Sequence, residues 1–154
     1  MKIIKLIQKS KYLFIINIIF IIDYCSKNYI ISNLRKNEKK VINAFLNIKN
    51  IQNYGLIFGV LEKKIKNNTL LFYSINLFLL TLIILIIYFF LKKNNSNKLI
   101  YTLLLSGALG NLFNRLKYGY IIDFFDVHYK WYHLPTFNIS DISIFLSLIL
   151  FILK

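Results

Sequence analysis

The stretch that decides the fold is the segment Leu70–Leu91, LLFYSINLFLLTLIILIIYFFL, which consists almost entirely of Leu, Ile, Phe and Tyr. A helix of about 20 mainly apolar residues can cross the hydrocarbon core of a bilayer. Three further apolar segments lie at about 12–31, 99–116 and 137–153. Because the apolar run itself, Ile139–Leu153, is short for a span, we expect its helix to begin earlier, near Thr136, or the bilayer to be locally thinner. The sequence therefore predicts an all-α membrane protein with four transmembrane helices.

The overall composition agrees with this prediction. The 154 residues are 57% hydrophobic and 17% charged, with a mean hydropathy of +0.57, which is too apolar for a water-soluble domain of this length. We expect one integral membrane domain over residues 1–154, without room for a separate soluble catalytic domain. The single cysteine, Cys25, excludes an intrachain disulfide and gives no metal-ligand spacing. We interpret Cys25 as a small core residue.

The net charge is +14, from 20 Lys and Arg against 6 acidic residues. In a soluble protein this excess would suggest nucleic acid, but here the lysines lie mainly between apolar segments, where they can contact lipid headgroups. We expect membrane lipid, and no nucleic acid, as a partner. Lysines before the first span, and around the polar turn 94–97 between the second and third, indicate cytoplasmic termini. The loop between the first two spans is basic too, so charge alone leaves the orientation open.

Two loops, at about 32–69 and 117–136, then lie outside the cytoplasm. In the first, Phe45–Gln52 (FLNIKNIQ) partly alternates apolar with polar residues, which predicts a small β-containing element. The second contains four Tyr and the single Trp of the chain, an aromatic content that is typical of a membrane interface.

The N-terminus has one alternative interpretation. Met1–Cys25 has a basic start, an apolar core and a cysteine, like a cleavable lipoprotein signal peptide. Asp23 and bulky Tyr24 stand where processing requires small neutral residues, and apolar character continues through Ile31. We therefore favour a retained transmembrane helix.

The unusual polar residues converge on one face of the membrane. The end of span one, the loop after it, the end of span three and the start of span four all lie on the same side. Charged residues in a membrane are costly and need partners or a function. The residues that this topology brings together are Asp23, Lys27, Asn53, Asn111, Arg115, Asp123, Asn138 and Asp141.

Spacing assigns some of these residues to common helix faces. Asp23 and Lys27 are four apart, which favours a structural ion pair. Gly107 and Gly110 permit close helix packing. For Arg115, a clamping role and snorkelling towards headgroups remain open.

Asp123 and Asp141 are the two residues that could act together as a catalytic pair. Two carboxylates in one site do not both ionise, so one can take a proton from water while the other donates to a carbonyl oxygen. At this point the alternative stays open that Asp141 caps a helix and Asp123 is solvated. We interpret Asp126 as solvated, and the histidines at 128 and 133 as surface or structural residues without a third metal ligand.

The segment 106–144, SGALGNLFNRLKYGYIIDFFDVHYKWYHLPTFNISDISI, resembles the C-terminal half of bacterial lipoprotein signal peptidase, also called signal peptidase II. Its GN...R, VDF-like and FN..DS-like blocks occur in order. Upstream, the D...K element at Asp23 and NYGLIFG from Asn53 resemble two further family blocks.

This resemblance implies a monomeric aspartic endopeptidase of the bacterial inner membrane, with its site facing the periplasm or outer surface. Its substrates would be prolipoproteins carrying diacylglycerol on a cysteine, cut immediately before that residue. It implies Asp123 and Asp141 as catalytic residues, without metal or cofactor. The substrate-binding or dyad-supporting residues would be Asn53, Gly55, Asn111, Arg115 and Asn138, with structural support from Asp23, Lys27, Gly107 and Gly110.

The sequence also departs from the family pattern. Asn114 replaces the usual Asp before Arg115, Leu56 and Ile57 replace small residues, and Ile142 stands where Ser is common. Neither carboxylate of the pair is affected.

Two other functional classes remain as alternatives. A small transporter could use the aspartates as a cation path, although such a path needs polar residues through the bilayer. A noncatalytic adaptor would use the polar blocks for helix packing alone.

Overall fold

A computed structural model describes residues 2–55, 62–92 and 97–154. The helices are α1 (Lys2–Asn33), α2 (Glu62–Lys66), α3 (Thr69–Lys92), α4 (Lys98–Tyr118) and α5 (Ile139–Ile152). The strands are β1 (Lys39–Val41), β2 (Leu46–Asn53), β3 (Ile121–Tyr129) and β4 (Tyr132–His133). The family departures at Leu56 and Ile57, and residues 94–96 of the predicted turn over 94–97, lie outside the described residues.

The helices hold apolar residues outside and small polar residues inside. Two segments, Ser10–Asn33 and Thr69–Leu91, are long and apolar enough to cross a membrane, and Ile139–Ile152 is a shorter apolar helix. Large side chains along α3, such as Phe78, are exposed, whereas Thr102 and Ser106 on α4 are fully buried. This distribution suits a bundle whose outer surface contacts lipid and whose helices meet through small residues.

Helix α4 lies at the centre of the bundle and contacts α1, α3 and α5. Its apolar contacts with α1 and α3 form a cluster of Ile16, Ile83, Leu105 and Leu112. Cys25 is exposed on α1, so its assignment to the core was wrong. Helix α1 continues without a break through Cys25 to Asn33.

The strands form one antiparallel sheet in the order β1-β2-β3-β4. The predicted β element at Phe45–Gln52 is confirmed as β2, and the sheet is larger than predicted because the second loop supplies β3 and β4. A second apolar cluster of Ile30, Ile122 and Phe124 joins the end of α1 to β3. The sheet is thereby fixed to the end of the bundle that carries most of the polar residues singled out above.

Helix α5 begins at Ile139 with Asn138 as its N-cap. It therefore starts with the apolar run, and the alternative of an earlier start near Thr136 was wrong. The residues before the cap follow β3 instead, because Phe125 and Phe137 exchange backbone hydrogen bonds of 2.8 and 3.2 Å. This bridge brings Asn138 beside the strand that carries Asp123.

Candidate active site

Asp123 lies on β3, where it pairs across the sheet with Ile51 of β2. Its Oδ2 accepts a 2.9 Å hydrogen bond from the side-chain amide of Asn53, at the end of β2. Its Oδ1 accepts a 2.7 Å bond from the side-chain amide of Asn138. The carboxylate is almost completely buried, so the alternative that Asp123 is simply solvated was wrong.

Asp141 lies in the first turn of α5 and completes a capping box. Its backbone N–H donates to Oδ1 of Asn138 at 3.0 Å, while its own Oδ2 accepts from the backbone N–H of Asn138 at 3.0 Å. Its Oδ1 accepts a 2.8 Å bond from the side-chain amide of Asn111 on α4. Asp141 therefore caps the helix, as one interpretation predicted, and also belongs to the polar cluster.

Asn138 connects the two carboxylates. It is fully buried, and it donates to Asp123 through its side chain and to Asp141 through its backbone. Residues from a strand and from a helix, 18 positions apart in sequence (123 to 141), are thus held against one asparagine.

A buried ion pair supports the cluster from α1. Asp23 and Lys27 form the predicted pair at 2.8 Å, with side chains 2% and 0% exposed. Lys27 Nζ also donates to Oδ1 of Asn111 at 2.9 Å, and Asp23 Oδ1 accepts from the backbone N–H of Ser140 at 2.9 Å. The pair therefore joins α1 to both α4 and α5.

Two glycines allow α4 to approach its neighbours. A Cβ at Gly107 would meet the backbone oxygen of Ser140, and a Cβ at Gly110 would meet Ser140 Oγ and the carboxylate of Asp23. The predicted close packing is confirmed at both positions, because no larger residue fits without movement.

Arg115 is buried and donates to the backbone oxygen of Gly55. Gly55 in turn donates its N–H to Oδ1 of Asn53 at 2.8 Å. Of the two alternatives for Arg115, clamping is therefore correct, and snorkelling was wrong because the guanidinium is buried within the protein.

Asn114 is a supporting residue whose role the sequence did not indicate. Its buried side-chain oxygen accepts a 3.2 Å bond from the backbone N–H of Ile122, next to Asp123. It was noted only as a departure from the family pattern.

The pKa of Asp123 is raised to about 6, mainly because burial disfavours the charged form and secondly because Asp141 is close. The amides of Asn53 and Asn138 act in the opposite direction but only partly offset these effects. A carboxyl group with this pKa can hold a proton in mildly acidic to near-neutral solution.

Asp126 was wrongly interpreted as solvated. It is fully buried and accepts from Asn47 and Lys49, each at 2.7 Å, with His133 Nδ1 also at 2.7 Å. Burial acts to raise the pKa of Asp126, but the bonds from these three partners outweigh it and lower the pKa to about 2. Asp126 is therefore a structural residue that is ionised at neutral pH. Among the described residues no group of three metal-ligating side chains occurs.

The polar residues of α3 offer no evidence for a cation path. Ser74, Asn76 and Thr81 each donate to the backbone oxygen four residues earlier, at 2.7 to 2.8 Å. These donor groups bond within their own helix, and among the described residues Oδ1 of Asn76 is buried without a hydrogen-bond partner.

Comparison with known proteins gives a consistent result. A family model described as signal peptidase (SPase) II matches residues 15–154. The lipoprotein signal peptidase of Buchnera aphidicola subsp. Schizaphis graminum is 39% identical over 154 residues, covering 96% of this chain and 97% of the relative. The lipoprotein signal peptidase of Wigglesworthia glossinidia brevipalpis is 35% identical, covering 94% of both chains.

Solved structures show the same likeness. A bacterial membrane enzyme determined by the in meso method at 1.9 Å resolution is 31% identical with a TM-score of 0.77, over 94% of this chain and 91% of that chain. A second, determined at 2.3 Å resolution, is 30% identical with a TM-score of 0.78, over 94% and 86%.

Proposed function

The chain belongs to the signal peptidase II family of membrane-embedded aspartic proteases, which cleave signal peptides from prolipoproteins, and we propose that Asp123 and Asp141 are its catalytic pair. The observation that carries this proposal is their common contact with the buried Asn138. A peptide bond and one water molecule placed between these carboxylates would meet both a base and an acid.

The reaction then follows general acid and base catalysis. The ionised carboxylate takes a proton from water as the water oxygen attacks the scissile carbonyl carbon, and the protonated carboxyl donates its proton to the carbonyl oxygen. The tetrahedral intermediate collapses when the first carboxyl returns its proton to the amide nitrogen and the second recovers one from the intermediate. The amine leaves, and both carboxyl groups are restored.

The substrate is a diacylglyceryl prolipoprotein cut immediately before its lipidated cysteine. The apolar outer surface of the helices supports this proposal, because both the signal helix and the diacylglycerol can approach through the bilayer. Lipid attached to the cysteine would fix the depth of the scissile bond in the bilayer. The lipid anchor would thereby help to position this bond at the carboxylates.

This bacterial membrane enzyme has four spans in the proposal, formed by α1, α3, α4 and α5, with cytoplasmic termini and the site towards the outer face. Two of these helices are long and apolar. Helix α4 is supported by its central position among the other three, and α5 by its exposed apolar side chains, such as Phe145.

The enzyme acts as a monomer in this proposal. One chain supplies both carboxylates and every described hydrogen-bond donor to them, namely Asn53, Asn111 and Asn138.

The test is cleavage of a diacylglyceryl prolipoprotein by the purified full chain in detergent. Asp123→Asn and Asp141→Asn should each lose nearly all turnover, whereas Glu38→Gln, which changes an exposed carboxylate outside the site, should cleave at the natural rate. Well-folded variants at 123 and 141 that retain natural turnover would refute the catalytic pair. Cation flux through the natural protein without cleavage would instead favour a transporter.

A further inference from the structure

The two carboxylates of the proposed pair have different surroundings. Both described donors to Asp123 are neutral side-chain amides, from Asn53 and Asn138. Asp141 accepts from the backbone of Asn138 and from the amide of Asn111. The two carboxylates thus accept a similar number of hydrogen bonds. They differ in the charged groups that contact their donors.

Lys27 stands directly behind the amide that contacts Asp141. Its fully buried ammonium donates to Oδ1 of Asn111 at 2.9 Å, and Nδ2 of the same amide donates to Asp141 at 2.8 Å. An ammonium bound to the oxygen of an amide polarises its N–H groups and strengthens the bond that they donate. This chain therefore favours negative charge on Asp141.

The position of Asp141 in α5 acts in the same direction. It is the third residue of the helix, in a capping box with Asn138. The unpaired N–H groups of a first turn carry partial positive charge, which stabilises an anion at that place. Asp123 lies on a strand and has no comparable contribution.

Resting on the catalytic pair proposed above, we infer that Asp141 is the ionised member, Asp123 holds the proton at rest, and Lys27 maintains this difference through Asn111. Asp141 then activates the water and Asp123 protonates the carbonyl oxygen. Lys27 is a positioning residue, since its hydrogen bonds reach Asp141 only through the amide of Asn111. Its charge acts through space on both carboxylates, so the bonded amide is what distinguishes Asp141 from Asp123.

The other charged groups that face the pair fit this assignment. Asp23 on α1 opposes ionisation of Asp141, but its charge is paired with Lys27 at 2.8 Å. Arg115 on α4 interacts electrostatically with both carboxylates, so it does not select between them. The raised pKa of Asp123, to about 6, is consistent with a proton on that residue below this pH.

The experiment is a pH profile of kcat/KM for the natural chain and for Lys27→Gln, with Lys11→Gln as the matched control on the exposed part of α1. Loss of the buried cation should move the acid limb of the profile upward by about one pH unit, and move the alkaline limb less. The profile of the control should coincide with that of the natural chain.

Lys27→Gln leaves Asp23 buried without its cation, which could prevent folding. The double variant Asp23→Asn with Lys27→Gln removes both charges and should move the acid limb in the same direction by a smaller amount. An unchanged acid limb in folded variants would overturn the role of Lys27. That outcome, together with inactive Asp123→Asn and Asp141→Asn, would leave the catalytic pair intact, whereas active variants at 123 and 141 would refute the pair itself.

The proton can also be observed directly. Infrared spectra at pH 5 should show a protonated-carboxyl band in the natural chain, and Asp123→Asn should remove it. Persistence of the band in Asp123→Asn would reverse the assignment of the two residues.

Discussion

The side-chain amide of Asn138 lies 2.7 Å from Oδ1 of Asp123, although Asn138 is at the same time the N-cap of α5. One side chain thus ends the extended segment along β3, starts a helix and orients a carboxylate. Its carbonyl oxygen performs the capping and its NH₂ group contacts Asp123, so the two tasks can be separated by substitution.

Asn138→Ser should keep the fold and lose activity. Serine caps helices about as well as asparagine, but its hydroxyl is too short to retain both the cap and the contact with Asp123. We expect a change in unfolding free energy below about 1 kcal/mol and a large fall in kcat. Asn138→Ala, which removes the cap too, should cost about 1 kcal/mol more. Unimpaired kcat in the serine variant would contradict this role.

Asp126→Asn should have the opposite effects to Asn138→Ser. The protein should be less stable, and turnover per folded molecule should be unchanged. The substitution removes a buried charge that pairs with Lys49 and His133, and it lies outside the contacts of the proposed pair. Thermal unfolding in detergent, followed by the fluorescence of Trp131, gives the stability. A fall in kcat at full folding would place Asp126 in the reaction.

Asp126 should also make the stability of the folded chain sensitive to acid. The pKa of Asp126 is lowered from 3.8 to about 2 in the folded chain. A lowered carboxyl pKa contributes stability that is fully present above about pH 4 and is lost as the pH falls through about 2. The natural chain should therefore lose more stability than Asp126→Asn between pH 5 and pH 2, and parallel stability curves would contradict this.

Gly110→Ala should destabilise the bundle by about 1 to 3 kcal/mol, because the added methyl meets Ser140 Oγ and Asp23. The hydroxyl of Ser140 is buried without a hydrogen-bond partner, so Ser140→Ala alone should have little effect. Combined with Gly110→Ala, it should recover part of the lost stability. Equal melting temperatures for the single and double variants would mean that the hydroxyl is not the obstacle.

Asn114→Asp should be tolerated, because a carboxylate can also accept the N–H of Ile122. Asn114→Leu removes the acceptor and leaves that buried N–H unpaired, at a cost of about 1 to 3 kcal/mol. Unfolding and cleavage assays on both variants test the difference. Equal stability of the leucine and aspartate variants would show that the bond is dispensable.

The sequence predicted the helices well and the sheet poorly. Apolar length alone identified Leu70–Leu91 as a helix, which the structure gives as Thr69–Lys92. Strand β3 lacks the alternation that marks a strand because residues on both of its faces are buried. Because the sequence pattern did not identify β3 as a strand, it also gave no indication that Asp126 is buried.

The start of α5 was misjudged for a different reason. The length needed for a span favoured a start near Thr136, whereas the capping box formed by Asn138 and Asp141 decides where the helix begins. For the site, topology correctly placed the polar residues at one end of the bundle. The bonds through Asn138 and Asn111 depend on tertiary packing, and local spacing does not contain them.

The capping of α5 by Asn138 also bears on the timing of biosynthesis. Ribosomes make the chain from its N-terminus, so Asp141 is made after Asp123, and the proposed pair is incomplete until α5 has formed and docked on α4. If the proposed pair is correct, a chain that has been made only as far as β3 holds Asp123 without its partner and has no complete site until α5 is in place.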